Sequence, residues 1–449
     1  MQGAVVSLPR YPEYKDSGVR WLKEVPSHWT ICRYKTVFRE RAERSDDGSE
    51  NLLSVSAYTG VSRRSEIIDD GDHLSRAESL EGYKVCYPGD LVMNIMLAWN
   101  RGLGFASEHG IVSPAYSVFE VVADADARFL DYLVRSDSSI WYYKAYSAGV
   151  IDSRLRLYPD TFGSLYCVLP GAEEQRAIAA FLDRETAKID ALIAEQEKLL
   201  SLLAEKRQAT ISHSVTKGLN PSAPMKDSGI PWLGEVPAHW EIMALGRVTI
   251  NKCDGPFGSG LKSDHYVDEG ARVIRLQNIR GGRFDGRDAA FIELGYFGSE
   301  MPRHEVREGD LLVAGLGDDN NVVGRACVAP KGIYPALVKA DCFRFRLDTD
   351  RALPEFAAWA LTVGATFDAG VLSSGSTRSR IPLSVMAARR ISLPPIGEQS
   401  EISRHIETIQ SDMNRLAVLV AQAIELLRER RSALISGAVT GKIDVRGVA

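Results

Sequence analysis

Between Ile402 and Leu434, apolar residues recur at alternating steps of three and four: Ile402, Ile406, Ile409, Met413, Leu416, Val420, Ala423, Leu427 and Leu434, with only Arg430 interrupting. A repeat of 3.5 residues held over this length is the seam of a coiled coil, narrower than the stripe of a helix lying on a domain. A second stretch keeps the same frame 224 residues upstream, through Ile178, Leu182, Ile189, Leu192, Leu199 and Leu203, with polar Glu185, Gln196 and Lys206 weakening it. Proline precedes each stretch (Pro170; Pro394 and Pro395), acids occupy each first turn (Glu173 and Glu174; Glu398), and Gly218 and Gly437 or Gly441 close them. These are helix start and stop signals. Two long helices are expected, paired antiparallel with each other, with Ile189 and Leu192 near Leu416 and Met413. Leu200, Leu202 and Leu426 fall off the seam and would be exposed on the pair.

Outside the helices the pattern changes to short apolar runs broken by Gly, Pro, Asn and Asp: Leu52–Ser56, Gly89–Ile95, Ala115–Val122, Arg272–Leu276, Asp310–Ala314 and Cys342–Leu347. These predict strands joined by turns, with occasional helices such as Pro354–Val363. The fold class expected is α+β, with mostly antiparallel sheets.

The chain is also a duplication. Residues 14–29 (YKDSGVRWLKEVPSHW) and 225–240 (MKDSGIPWLGEVPAHW) share eleven of 16 positions at an offset of 211. LPGAEEQRAI (169–178) faces LPPIGEQSEI (393–402), and VTKGLN (215–220) faces VTGKID (439–444). Pro88-Gly89-Asp90-Leu91-Val92 corresponds to Glu308-Gly309-Asp310-Leu311-Leu312. Each half runs opening motif, variable region, Glu-Gln motif, helix. Such a period means two copies of one module rather than a solenoid. The order is cyclic: the first helix leads into the second opening motif, so the second helix should end near the first one, giving approximate twofold symmetry.

At 449 residues, with 45% hydrophobic and 25% charged residues, the chain suits several soluble domains. No apolar run is long enough to span a membrane, and none resembles a secretory leader. Six isolated cysteines without a C-x-x-C pair suit reduced thiols in a cytoplasmic protein and argue against a zinc ribbon. The histidines show no ligand spacing, so neither a metal nor a cofactor is expected. The net charge of −5 does not advertise nucleic-acid binding, but residues 270–284 and 369–397 are arginine-bearing and free of acids.

Together the doubled K-D-S-G-x-x-W-L-x-E-V-P-x-H-W motif, the doubled L-P-x-x-x-E-Q helix start, the heptad stretches, Asp254-Gly255-Pro256-Phe257-Gly258-Ser259 and Gly375-Ser376-Thr377-Arg378 resemble the specificity subunit of type I restriction-modification enzymes. The resemblance covers about residues 12–445. It implies two pseudo-symmetric target recognition domains (12–170 and 221–395), each reading one half of a split double-stranded DNA site, joined by spacer helices (171–220 and 396–445). It implies as partners two modification subunits, docked on the helices, and restriction subunits. No catalytic residue is implied for this chain. The first copy departs from the pattern in lacking G-P-F-G-S.

A DNA-reading domain needs cations for phosphates and amide or guanidinium groups for base edges. In the second copy the candidates are Lys262, closing a glycine-rich loop; Arg275, Asn278 and Arg280, either a reading face or the polar side of an amphipathic strand; and Ser376, Thr377, Arg378 and Arg380. In the first copy they are Asn94, Asn100, Arg101, Arg154 and Arg156. Two other classes compete. An amino-methyltransferase needs a D/N-P-P-aromatic loop, and the only Pro-Pro pair, Pro394-Pro395, lies between Leu393 and Ile396. A helical scaffold that never touches DNA is the other alternative. From Ile178 to about Val215 the helix should measure roughly 57 Å, at ~1.5 Å per residue, so two readers at its ends would address separated blocks of a target.

Overall fold

The computed structural model describes residues 8–57, 60–63, 79–256, 260–318, 320–372 and 379–447. The chain divides into two compact units, Met1–Glu197 with Ala421–Ala449, and Lys198–Val420. The long helices run over Ala172–Lys217 and Ile396–Val439, and each contributes one end to either unit. Gly218 (φ +76°) and Gly441 (φ +72°) follow the helices in the left-handed conformation that stops them, whereas Gly437 lies inside the second helix.

In the first unit the opening motif folds as the hairpin Tyr14–Asp16/Glu24–Pro26, and Thr30–Arg33 then pairs antiparallel with Tyr166–Leu169. A four-stranded sheet follows, in the order Phe38–Glu40, Tyr116–Val121, Leu91–Asn94, Leu103–Phe105. Helices Ala127–Arg135 and Asp137–Tyr146 pack beside it around Phe129, Leu133 and Tyr143. Trp29 is fully buried in this core together with Ile178 and Leu182 from the start of the first long helix and Ala438 and Val439 from the end of the second. The helix ends therefore run antiparallel here.

The second unit repeats the scheme. Its hairpin is Met225–Asp227/Glu235–Pro237, Glu241–Ala244 pairs with Arg390–Leu393, and the four-stranded sheet runs Thr249–Cys253, Cys342–Leu347, Leu311–Ala314, Ala326–Val328. Trp240 is buried with Ile211 and Val215, near the end of the first long helix, and Ile402 and Ile406, at the start of the second. A further five-stranded sheet includes one parallel pair, Ala271–Ile274 beside Ala336–Val338, so this unit is not purely antiparallel. The expected helix at Pro354–Val363 continues to Leu372.

The helix pairing differs in register from expectation. Asp190 bonds Arg431 at 2.8 Å and Glu197 bonds Arg428 at 3.1 Å in the first unit, and Arg207 bonds Asn414 at 3.2 Å in the second. Ile189 thus lies level with the region of Leu434, and Leu416 with that of Arg207, not with each other. A heptad seam survives slippage, so periodicity names the buried face and leaves the register to the anchored ends. The face also shifts: Leu192, Leu199 and Leu416 are exposed by 45%, 36% and 41%, while Ile193, Leu200 and Ala417 turn inward. Ile178, Leu182, Ile189, Leu203, Ile402, Ile406 and Val420 are buried as the seam required, with Ile409, Met413 and Leu427 half-buried.

No helix among the described residues is long and apolar enough to cross a membrane, and among them no group of three or more His, Cys, Asp or Glu is arranged to hold a metal ion.

Candidate nucleic-acid interface

The Gly-Asp motif sits at the same place in both units. Asp310 accepts two bonds from Arg346, each 2.8 Å, and one from the Arg307 backbone amide, also 2.8 Å. Asp90 accepts from Arg41 at 2.9 and 3.1 Å and from the Tyr87 amide at 2.9 Å. These anchored carboxylates precede the central strands Leu311–Ala314 and Leu91–Asn94, whose residues are all buried. Each strand then leaves the sheet through a loop, residues 315–318 and 320–325 in the second unit and 95–102 in the first.

In the second unit the loop is firmly held. A Cβ on Gly315 would lie 2.4 Å from the Phe343 ring, so only glycine fits the exit. Asp318 Oδ1 accepts from the amides of Asn320 and Asn321 at 3.0 and 2.8 Å, forming a tight turn that leaves Asn320 exposed. Beneath it the buried Arg325 guanidinium donates to the carbonyls of Leu276, Ile279, Leu316, Asn321 and Val322. Burial depresses its pKa, chiefly by desolvation. Arg280 donates to Asn321 Oδ1 at 2.7 Å, and the Gly317 amide donates to the Ser379 carbonyl at 2.9 Å. Arg280 and Arg380 thereby meet Asn321's loop from distant parts of the sequence.

The same tie recurs in the first unit. Ile381 N donates to Gly315 O in one, and Leu157 N donates to Ile95 O in the other, both at 2.9 Å. Under the sequence correspondences these are equivalent pairs. Asn100, exposed at the end of the turn Ala98–Asn100, corresponds to Asn320, and Arg156 immediately precedes Leu157, tied to Ile95, as Arg380 precedes Ile381. Arg154 is exposed, whereas Arg156 donates to the Leu155 carbonyl at 2.9 Å.

Several expected contacts are occupied inside the fold. Asn94 is 4% exposed and caps the Met96 amide. Asn278 is fully buried: its Nδ2 donates to the carbonyls of Asp285 and Asp288, both at 2.9 Å, and its Oδ1 accepts from the Arg275 amide at 2.9 Å. Arg275, Asn278 and Arg280 accordingly share no face. Arg275 pairs with Asp288 at 2.5 Å, Arg380 with Asp341 at 2.8 Å, and Arg101 with Asp137, which also accepts from Ser432. Burial lowers the Arg101 pKa, with Arg135 and Arg431 adding to the effect. The acid-free stretches of sequence are thus met by acids from elsewhere. Lys262 is exposed at the turn Ser263–His265, and its neighbour Leu261 packs on a separate cluster with Val273, Ile292 and Phe297. Ser376, Thr377 and Arg378, like Phe257–Ser259, lie outside the described residues. Asn320, Asn321 and Arg325 were not singled out from sequence; the signal available was the Gly-Asp-Asp-Asn-Asn run at 317–321.

Beside this loop, burial raises the Asp254 pKa to about 6, and the neighbouring charge of Asp341 adds to the shift. Gly255 is required next to it, because a Cβ there would come within 2.0 Å of the Lys339 backbone.

No protein-family model matches the chain. The chain is 24% identical over 313 residues to the EcoKI specificity subunit of Escherichia coli K12, covering 69% of this chain and 64% of that protein. It is 22% identical to the StySPI specificity subunit of Salmonella potsdam, covering 64% of this chain and 60% of that one. The alignments thus span just under two thirds of these two relatives. The EcoBI specificity subunit of Escherichia coli is 23% identical over 377 residues, 82% of this chain and 76% of that one. Two solved structures share the fold. One, from a study of assembly and conformational transition of a type I R-M system, matches with a TM-score of 0.67 at 17% identity, over 95% of this chain and 99% of that one. The other, the HsdS subunit of Thermoanaerobacter tengcongensis, gives 0.56 at 18% identity, over 93% and 98%. With the duplicated motifs, the anchored Gly-Asp strands and the shared antiparallel helices, these likenesses identify the chain as a member of the specificity-subunit family of type I restriction enzymes.

Proposed function

We propose that this chain is the DNA-reading subunit of a type I restriction-modification complex. Residues 12–170 and 221–395 act as target recognition domains, residues 171–220 and 396–445 act as spacers, and the chemistry is left to partner subunits. The observation carrying this reading is the duplicated loop after the Gly-Asp strand, tied in both units to a basic segment by an equivalent backbone bond. Exposed amides (Asn100; Asn320), with Arg280 and Arg380 at the second loop and exposed Arg154 as the first module's candidate cation, supply base-edge and phosphate chemistry. The two loops differ in sequence and length, which supports two different half-sites and an asymmetric, bipartite target. The ion pairs holding Arg101, Arg275 and Arg380 would exchange their carboxylates for phosphates on binding.

A fold neighbour described in the assembly of a type I R-M system supports partners of that kind, which we take to be modification subunits and, joining them in the cytoplasm, restriction subunits. Exposed leucines on the helices, among them Leu202 (49%) and Leu426 (64%), supply apolar contact for the modification subunits. Methylome sequencing of cells expressing this chain with its modification subunit tests the reading. The expected result is methylation at one asymmetric pair of short blocks around a spacer of constant length. Methylation at a single contiguous site, or none above background, would overturn it.

A further inference from the structure

We propose that Cys32 and Cys167 form a peroxide-reactive thiol pair that closes to a disulfide in the first module. The two residues are register partners on the antiparallel strands Thr30–Arg33 and Tyr166–Leu169, and their sulfurs lie 3.6 Å apart although 135 residues separate them. Directly opposed residues in such a ladder have Cα atoms about 4.5–5.5 Å apart, within the range of about 4.4–6.8 Å that a disulfide spans. Side-chain rotation can therefore bring the sulfurs to about 2.05 Å without moving the strands.

The sulfurs are unequal. Cys167 is buried, while Cys32 is half-exposed at the edge of the core. The hydrogen bond with Cys167 lowers the Cys32 pKa to about 7, aided by Thr36 and opposed by burial. The Cys167 thiol is pushed up, first by the same bond and then by burial. Burial pushes Cys86 and Cys327 up to about 12 and raises Cys253 and Cys342 as well. Cys32 is thus the one thiolate-prone sulfur among the described cysteines, with a resolving thiol beside it.

The reaction balances with hydrogen peroxide as oxidant. The Cys32 thiolate attacks one peroxide oxygen, the O–O bond breaks, and Cys32 becomes a sulfenic acid as hydroxide leaves. The Cys167 sulfur then attacks the Cys32 sulfur, expelling the sulfenic oxygen. The two thiol protons end in the two waters formed from the peroxide. The second module has no such chemistry, since the corresponding register pair there is Met243 and Ile391. The bond would join the strand leaving the opening motif to the strand entering the first long helix, cross-linking the base of this module alone.

The test is stoichiometric peroxide on the native full-length chain, followed by non-reducing peptide mapping. The expected result is a linked Cys32–Cys167 peptide and loss of two hydrogens from the intact mass. In Cys167→Ser, Cys32 should instead be captured as a dimedone adduct, and in Cys32→Ser neither product should form. Before oxidation, iodoacetamide near neutral pH should modify Cys32 at least about 100-fold faster than Cys86 or Cys327, since its thiolate fraction is far larger than theirs. A native protein in which Cys32 reacts no faster than those two, or in which peroxide yields no linked peptide, would overturn the proposal. Mapping the unmodified sequence keeps the test decisive even if a variant folds poorly.

Discussion

The indole of Trp29 donates to Glu174 Oε1 at 3.2 Å while His28 Nε2 lies 2.8 Å from the other oxygen of the same carboxylate. In the second unit Trp240 and His239 meet Glu398 in the same way, at 3.1 and 2.7 Å. The His-Trp end of the opening motif and the Glu-Gln helix start are thus two halves of one joint. Gly441, just beyond the second helix, packs against Trp29, and its carbonyl accepts from Tyr14 at 3.1 Å. The second long helix ends beside the first opening motif, as the cyclic order of the repeats requires.

Replacing Glu398 by Ala leaves the buried Trp240 N–H without its acceptor. The expected cost is about 1–3 kcal/mol, the usual penalty for an unsatisfied buried donor. Glu398→Gln, which keeps an acceptor oxygen, should lose less. Urea unfolding with equal m-values checks both, and Glu174→Ala and Glu174→Gln should repeat the ranking in the first unit.

Arg280 and Arg380 are expected to contribute to DNA binding without carrying the fold. Ala at either position should weaken binding by the assembled complex on the order of 1–3 kcal/mol. Asn278→Ala should do the reverse, destabilising the second unit by about 1–3 kcal/mol through the lost bonds to Asp285 and Asp288. Paired measurements of duplex affinity at fixed salt and of unfolding midpoint separate the two classes. Unchanged affinity in Arg280→Ala would remove that arginine from the interface.

Asp254 makes stability depend on pH in an identifiable direction. Its folded pKa, about 6, lies above the ordinary carboxyl value of 3.8, so the native state binds more protons between these limits. Stability from this group is full below about pH 3.8 and is lost as pH rises through about 6. Asp254→Asn should therefore be more stable than the parent above pH 7, with the difference shrinking toward pH 4.5. Denaturant midpoints at about pH 5 and pH 7.5 test this, and a difference independent of pH would refute it.

Leu419 and Val418, each 56% exposed on the second long helix, belong to the second unit together with Leu202 on the first long helix. Leu202→Ser with Leu419→Ser should change stability by no more than about 1 kcal/mol, about 0.5 for each half-exposed side chain. The pair of changes should nevertheless weaken co-elution with the modification subunit in size-exclusion chromatography. Unaltered co-elution would place the docking surface elsewhere.

Sequence alone determined the repeat, the two long helices with their stops, the α+β character and the return of the second helix's end to the first opening motif. Each rests on local periodicity or on copies of one motif, and both are visible without contacts. The tertiary structure decided the rest. Heptad spacing tolerates slippage, so only the Trp29 and Trp240 joints set the helix register and turned Leu192, Leu199 and Leu416 outward. Asn94 and Asn278 look like reading groups in sequence, but their amides serve backbone atoms that only folding brings near. The stretches around Arg275 and Arg380 are free of acids in sequence, yet Asp288 and Asp341 reach them across turns and strands. Charge is neutralised through space and not along the chain, which is why a local count of arginines overstates the basic surface.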